Sequence, residues 1–161
     1  MKDIMLILAK TGDENLIHSM KYFSFLPLYN RYKDDETSPV KESIGKVIAQ
    51  LKSDNTDYYI IKVDSKPVGA IRIVYDGVEN DRQIYRISPL FILPEYQNKG
   101  IGYSVIKMIF DMYERADIWR LSTIKQEKGN CHLYEKCGFE LVGNEMLIND
   151  KMTIVYYEKR K

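Results

Sequence analysis

The chain has 161 residues, a hydrophobic fraction of 45% and a formal net charge of +1. Such a length suits one globular domain with a sizeable core, and the balanced charge gives no bulk attraction to nucleic acid or to an anionic membrane. No transmembrane segment or secretory signal is predicted, and Cys131 and Cys137 do not suggest a disulfide framework, so we expect the protein in the reducing cytoplasm.

The first third of the chain predicts one strand followed by two helices. Residues 3–10 are mostly apolar and are predicted as the strand. Residues 11–14 have the Thr-to-Glu spacing of a capping box, so a helix is expected to begin there and to stop near Pro27. Ser38, followed by a proline, is typical of a helix start, and apolar residues then recur on one helical face as far as residue 51.

The remainder of the chain predicts a three-stranded meander and then alternating helices and strands. These elements are strands at 58–63, 68–75 and 83–93, a helix at about 101–115, a strand at 118–124, a short helix at 129–137, and strands at 139–142 and 152–158. The helix after the third meander strand favours a right-handed parallel crossover. The complete order is β-α-α-β-β-β-α-β-α-β-β, which indicates one mixed α/β domain over residues 1–161.

A glycine-rich loop separates the third meander strand from the helix that follows it. Residues 97–102 read Gln-Asn-Lys-Gly-Ile-Gly. A helix that begins in such a loop presents unpaired backbone N–H groups and the positive end of its dipole, which favours phosphate binding. The dinucleotide fingerprint needs a third glycine where this chain has Val105, and the P-loop needs Lys-Ser/Thr where it has Tyr103 and Ser104. The pattern that remains is Gln/Arg-x-x-Gly-x-Gly/Ala after a strand.

A second motif, Leu-Tyr-Glu-Lys-Cys-Gly-Phe, occupies residues 133–139. A purely structural interpretation explains Gly138 as a left-handed helix terminator and Phe139 as a core residue, but it does not explain Tyr134. Together the two motifs resemble those of the GNAT superfamily of acetyl-CoA-dependent N-acetyltransferases over about residues 83–142. The resemblance implies the GNAT fold, a twisted, mixed, mostly antiparallel sheet of about seven strands with helices on both faces, which opens in the middle to admit coenzyme A.

The resemblance also implies which residues hold acetyl-CoA as co-substrate, without a metal. The loop amides would hold the pyrophosphate, the strand end would pair with the pantetheine arm, and a backbone N–H near Leu90 or Phe91 would stabilise the oxyanion. Tyr134 would protonate the leaving thiolate. Many relatives have an asparagine seven residues before this tyrosine, where this chain has Glu127, and Asn130 is a candidate replacement. The residues expected to bind the cofactor are Phe91, Ile92, Leu93, Gln97, Asn98, Lys99, Gly100, Ile101, Gly102 and Asn130.

No residue identifies itself as the base that takes a proton from the amine. Glu42, Glu79 and Asp81 could act through water, but each is also typical of a surface carboxylate. The two histidines, His18 and His132, are isolated, which gives a metal site little support. The acidic residues 34–36 and the aromatic residues between 22 and 32 could contribute to an acceptor pocket, although such residues more often form a solvated loop and core.

The leading hypothesis is therefore an acetyl-CoA-dependent transferase that acts on a primary amine of a small molecule or a protein. A coenzyme A-binding sensor or inactive GNAT-like domain is the alternative, and a nucleotide-binding module is disfavoured by the failed glycine fingerprints. The acceptor is expected to be set by residues 22–38 and 143–151, which carry no recognisable motif. The resemblance is compatible with a homodimer.

Overall fold

A computed structural model describes residues 3–161, which form a seven-stranded sheet flanked by four α-helices. The element order confirms the sequence prediction, with two short 3-10 turns added at Pro39–Lys41 and Pro94–Tyr96. The strands are β1 Ile4–Leu8, β2 Thr56–Val63, β3 Lys66–Glu79, β4 Arg82–Ile92, β5 Ile118–Ile124, β6 Glu140–Leu147 and β7 Thr153–Arg160. The helices are α1 Glu14–Tyr32, α2 Ile44–Lys52, α3 Ile101–Met112 and α4 Lys128–Lys136.

The sheet has the strand order β1-β2-β3-β4-β5-β7-β6. Every neighbouring pair is antiparallel except β4 and β5, which are joined through α3 and run parallel. The predicted parallel crossover is therefore confirmed. Because one parallel pair interrupts an otherwise antiparallel sheet, the hydrogen-bonding pattern changes at the centre of the molecule.

Helices cover both faces of the sheet, as the resemblance implied. On one face, Ile17 of α1 and Val47 of α2 are fully buried in a cluster with side chains of β2, β3 and β4. On the other face, the apolar side of α3 and Tyr134 of α4 pack on a larger cluster that contains Trp119. The spacing of apolar residues in α3, at Ile101, Val105, Ile106 and Ile109, accounts for the burial of its sheet-facing side.

Helix α1 continues through Pro27 to Tyr32, so the prediction that it stops near Pro27 is wrong. Proline removes one intrahelical donor, and the carbonyl that loses its partner is that of Phe23. Phe23 is 54% exposed and Pro27 is also exposed, so water can reach this carbonyl. The predicted capping box is also absent: Asp13 is the N-cap residue, and the Glu14 carboxylate accepts from the N–H of Gly12 instead.

The segment predicted as one helix from Ser38 forms two short elements. The Ser38 hydroxyl accepts from the N–H of Val40 as expected, but the 3-10 turn that it caps ends at Lys41. Ser43 then begins α2 by accepting from the N–H of Lys46. Two serine caps within six residues each start an element, so the chain changes direction between them.

A buried ion pair holds this direction change against α1. The Nζ of Lys21, whose side chain is only 2% exposed, lies 2.9 Å from Oε2 of Glu42, and Lys46 binds the other oxygen at 2.9 Å. Burial alone would raise the pKa of Glu42, but the two ammonium groups outweigh it and hold this pKa below its usual range. Burial lowers the pKa of Lys21. The pair therefore fixes α1 against the start of α2 in its charged form.

At the far edge of the sheet, β6 is exposed along its whole length. Its apolar side chains Leu141 and Leu147 are 60% and 73% exposed. Within residues 3–161, no helix has the length and the apolar run that crossing a bilayer would require.

Replacing Glu42 with glutamine should lower the free energy of unfolding at pH 7 by about 2–4 kcal/mol, because it leaves the Lys21 charge buried without its partner. The matched control is Glu145→Gln, which breaks the exposed pair with Lys125 (side chains 51% and 47% exposed) and should cost less than about 1 kcal/mol. The folded-state pKa of Glu42 is lowered, so its contribution is fully present above the ordinary value of 4.5 and is lost as the pH falls through the lowered value. Urea unfolding of both variants at pH 7 and pH 3 measures these free energies of unfolding. An equal loss of unfolding free energy in Glu42→Gln and Glu145→Gln at pH 7 would contradict the prediction.

Candidate active site

A cleft opens where β4 and β5 stop pairing. The two strands are in register only from Ile84 to Arg86 of β4, opposite Ile118 to Arg120 of β5. Beyond that point β4 carries one extra residue against β3, since Ile87 pairs with Ile73 but Leu90 pairs with Ile71. Such a bulge bends its strand away from a neighbour. The second half of β4 therefore has one free edge.

Alternation along β4 determines which backbone groups face this free edge. The N–H of Leu93 donates to the carbonyl oxygen of Val68, and its own carbonyl accepts from Tyr96, so neither group of Leu93 is available to a ligand. The N–H and carbonyl groups of successive residues alternate sides along a strand. The backbone groups of Phe91 therefore point towards β3, like those of Leu93, whereas the backbone groups of Leu90 and Ile92 point towards the cleft. The Ile92 carbonyl accepts from the Gln97 side chain at 2.8 Å, as that orientation requires.

The glycine-rich loop ends the cleft with free backbone donors. The N–H of Gln97 donates to the Pro94 carbonyl, and the first helical hydrogen bond of α3 is Ser104 N–H to Gly100. In the part of the chain that the structure describes, the N–H groups of residues 98–103 have no protein acceptor. Gly100 has a φ of +80°, a conformation that favours glycine, and it turns the chain into α3. The loop thus has the donors and the helix end that the sequence predicted for a phosphate site.

Gly102 sets the close approach of α3 to α4. A Cβ added there would lie 3.1 Å from Cδ2 of Leu133, so a larger residue would require the Leu133 side chain to move. Leu133 immediately precedes Tyr134, so this contact lies beside the predicted acid.

The end of α4 fixes the other side of Tyr134. Gly138, at a φ of +97°, donates its N–H to Glu135, and Phe139 donates to the Tyr134 carbonyl. These two hydrogen bonds form a Schellman motif, which confirms the predicted role of Gly138 as helix terminator. The Phe139 ring lies 6.0 Å from the Tyr134 ring, edge to face. The same residues that end the helix therefore hold the tyrosine ring.

Tyr134 is buried and keeps its proton. Its side chain is 9% exposed, and burial raises its pKa above the ordinary value of 10, with a smaller contribution from the thiols of Cys137 and Cys131. The phenol is therefore a hydrogen-bond donor at neutral pH. Cys137 is also buried, and burial raises the pKa of its thiol, which disfavours the reactive thiolate.

A cavity of about 510 Å³ connects these parts. Its walls are the inner side of α1, the free edge of β4, the glycine-rich loop and one side of α4. The predicted site residues that line it are Phe91, Ile92, Gln97, Asn98, Gly100, Ile101, Gly102, Asn130 and Tyr134. Leu93 and Lys99 lie outside it; the ammonium of Lys99 is 5.9 Å from the centre of the Tyr96 ring.

Glu127 was noted in the sequence only as a departure from the family pattern, yet the structure places its carboxylate in the cavity wall. Oε2 of Glu127 accepts from the Tyr32 hydroxyl and from the Arg31 guanidinium, both at 2.5 Å. Asn130 begins α4 with its N–H on the Glu127 carbonyl, and its exposed side chain faces the same cavity. No pattern in the sequence links residues 31, 32 and 127, because the contact joins segments about 95 residues apart.

The other carboxylates considered in the sequence lie elsewhere. Glu42 is held by two lysines, and Glu79 is paired with Arg120 at 2.7 Å at the far end of β3. Asp81 lies in the β3–β4 turn. The acidic residues 34–36 form the turn after α1, where Asp34 accepts from Thr37. None of these residues lines the cavity.

Comparison with known proteins identifies the family. The family model described as acetyltransferase (GNAT) family matches residues 22–139. The chain belongs to this family. The GNAT match covers both motifs, the whole of the β4–β5 cleft and most of α1.

Solved GNAT structures share the fold at low sequence identity. A PaiA N-acetyltransferase from Thermoplasma acidophilum, solved with coenzyme A, is 17% identical, covers 99% of both chains and has a TM-score of 0.78. A spermidine N-acetyltransferase from Vibrio cholerae, solved with coenzyme A and spermine, is 18% identical over 98% of this chain and 95% of its own, with a TM-score of 0.75.

An uncharacterized N-acetyltransferase from Methanocaldococcus jannaschii is 26% identical over 94 residues, which are 56% of this chain. The matched part spans 42% of the length of that relative.

Gly100→Ala should weaken acetyl-CoA binding about tenfold or more, because a side chain disfavours the left-handed φ that aims the loop amides. Gly77→Ala is the matched control: Gly77 has a φ of +89°, and an added Cβ meets nothing within 4 Å at either glycine. Both variants should lose about 1–2 kcal/mol of stability, but only the first should lose affinity in calorimetric titration. Equal affinity for both variants would remove the loop from the site.

Proposed function

We propose that residues 1–161 act as a single N-acetyltransferase domain that moves the acetyl group of acetyl-CoA to a primary amine by direct attack. The observation that carries this proposal is one continuous cavity with free loop amides at one end and the protonated phenol of Tyr134 in its wall. Membership of the GNAT family supports acyl transfer as the reaction class.

The donor set fits the phosphates and the pantetheine arm of the co-substrate. The free N–H groups of Asn98 to Gly102, together with that of Tyr103, would bind the pyrophosphate at the positive end of α3. The cleft-facing groups of Leu90 and Ile92 would pair with the pantetheine amides, as an added strand does at a free sheet edge. Asn130 lines the same cavity, and we expect it to take the contact that the family's asparagine makes.

Two of the chain's own groups would stabilise the negative charges that develop on the carbonyl oxygen and on the leaving sulfur. The amine nitrogen forms a bond to the thioester carbonyl carbon, and the carbonyl oxygen becomes negative. The Leu90 N–H would donate to this oxygen; one such donor is typically worth about 3 kcal/mol. When the carbon–sulfur bond breaks, Tyr134 would give its proton to the thiolate, which leaves as the free thiol of coenzyme A. The attacking nitrogen would lose its extra proton to water as the amide forms, and water would return a proton to the Tyr134 phenolate.

Direct attack is favoured over a covalent acetyl-enzyme. Neither Cys131 nor Cys137 lines the cavity, and the thiol pKa of Cys137 is raised, which disfavours the thiolate needed as nucleophile. The acceptor amine would enter along α1 and the β6–β7 turn. The spermidine N-acetyltransferase among the similar structures supports an amine as acceptor class.

Acetyl-CoA should raise the stability of the protein by about 2.7 kcal/mol at a hundred times its dissociation constant, whereas ATP and NAD should not. A thermal-shift series with the three ligands measures this. A shift with ATP or NAD alone would favour a nucleotide-binding module. A shift with acetyl-CoA but no thiol release from any amine would favour the coenzyme A sensor.

Tyr134→Phe should lower kcat about a hundredfold, because it removes the acid but keeps the ring packed on Phe139. Tyr103→Phe is the control, since Tyr103 lines the same cavity and should leave kcat within about threefold. The wild-type enzyme should keep its activity up to at least about pH 9.5, because the raised pKa of Tyr134 retains the proton there. Free thiol production is the assay, and an unchanged rate in Tyr134→Phe would exclude Tyr134 as the acid.

A further inference from the structure

Glu127 is the N-cap residue of α4 and faces the same cavity as Tyr134, seven residues later. A separation of seven residues returns to the same side of a helix. Among the described residues that line the cavity, Glu127 is the one carboxylate. A negative group is therefore placed on the side of the cavity that also carries the proposed acid.

The two oxygens of Glu127 differ in their surroundings. Oε2 is held by both Tyr32 and Arg31. Within residues 3–161 no donor lies within hydrogen-bonding distance of Oε1. The Glu127 side chain is 18% exposed, so this second oxygen is open to a ligand in the cavity.

The two partners of Oε2 also differ. Tyr32 is 5% exposed, and burial, followed by its bond to Glu127, raises its pKa, so it is a fixed donor. The Arg31 side chain is 57% exposed, and within residues 3–161 its partners are Glu127 and the face of the Tyr32 ring, 5.8 Å away. Solvent reaches this ion pair from the arginine side and weakens it there. Tyr32 therefore positions the carboxylate, whereas Arg31 can leave it.

The segments expected to set the acceptor meet at this carboxylate. Arg31 and Tyr32 form the last turn of α1, and the Asn149 side chain in the β6–β7 turn donates to the Tyr32 carbonyl at 2.9 Å. Phe25 and Leu28 of α1 supply apolar wall beside them. A cation with an alkyl chain matches these surroundings.

We propose that Glu127 binds a positively charged group of the acceptor, and that the Arg31 guanidinium occupies this place until the acceptor arrives. This assignment rests on the proposed acetyl transfer and narrows its substrate class to amines that carry a second positive charge, such as linear diamines. Tyr32 is a positioning residue for the carboxylate.

The test compares Glu127→Gln with Arg31→Gln. Acetyl transfer is measured with 1,4-diaminobutane and with 4-aminobutyrate, which have the same chain length but a cationic or an anionic far end. Glu127→Gln should raise the KM for the diamine about tenfold or more, as expected for a lost hydrogen bond between charged groups. Arg31→Gln should lower the same KM, because it removes the internal competitor. Both variants should keep the acetyl-CoA dissociation constant within about twofold.

A readout that needs no turnover keeps this inference separate from the proposed function. Calorimetric titration of 1,4-diaminobutane into the protein saturated with coenzyme A should give a binding heat in the wild type that Glu127→Gln abolishes. Loss of acetyl transfer with every amine would contradict the proposed function. The titration would still show whether Glu127 binds the diamine.

Three outcomes would overturn the assignment. If both variants raise the KM for the diamine and also lower the melting temperature, the contact between Arg31 and Glu127 only stabilises the fold. If Glu127→Gln changes acetyl-CoA affinity and leaves the diamine KM unchanged, Glu127 contacts the pantetheine arm. If the wild-type enzyme prefers 4-aminobutyrate, no cationic group is recognised at this position.

Discussion

The loss of pairing between β4 and β5 is the constraint on which the ligand-binding face of this protein depends. Three residue pairs hold the two strands together, and a bulge in β4 then bends it away. A sheet edge inside a domain would normally leave polar backbone groups unsatisfied. In this fold the edge opens into a cavity, where a ligand or water can reach those groups. The position of the bulge thus determines where the cleft starts.

The other parts of the cavity are placed by contacts that also serve the fold. Gly102 lets α3 approach Leu133 closely, and the Schellman motif after α4 orients Tyr134 through Phe139. The phenol is therefore positioned by residues whose ordinary task is to end a helix and to pack two helices together. Its burial follows from the same contacts, and burial keeps it protonated.

Most of the architecture was predictable because periodicity and turn chemistry agree with the final fold. The strand at 118–124 and the terminator Gly138 were predicted as they occur. Prediction failed where a distant contact outweighs a local signal. Pro27 does not end α1, since the far end of the helix is anchored by Glu127 and Asn149. Ser43 starts a second element because Glu42, just before it, is drawn to the buried Lys21.

The residues of the candidate site also differ in whether the sequence alone could predict them. The loop and Tyr134 are readable from the sequence because each belongs to one continuous motif. Glu127 is not, since its meaning depends on Arg31 and Tyr32, which come near it only after the chain has folded.

In the proposed function the cofactor is held by main-chain amides, and such contacts place few demands on side-chain identity beyond the glycines. Residues around the loop can therefore be substituted without altering the peptide groups of the loop itself. Two solved structures that share the fold are only 17–18% identical to this chain. The end of α1 and the β6–β7 turn do not belong to this loop, so residues there can diverge while the loop keeps its backbone geometry.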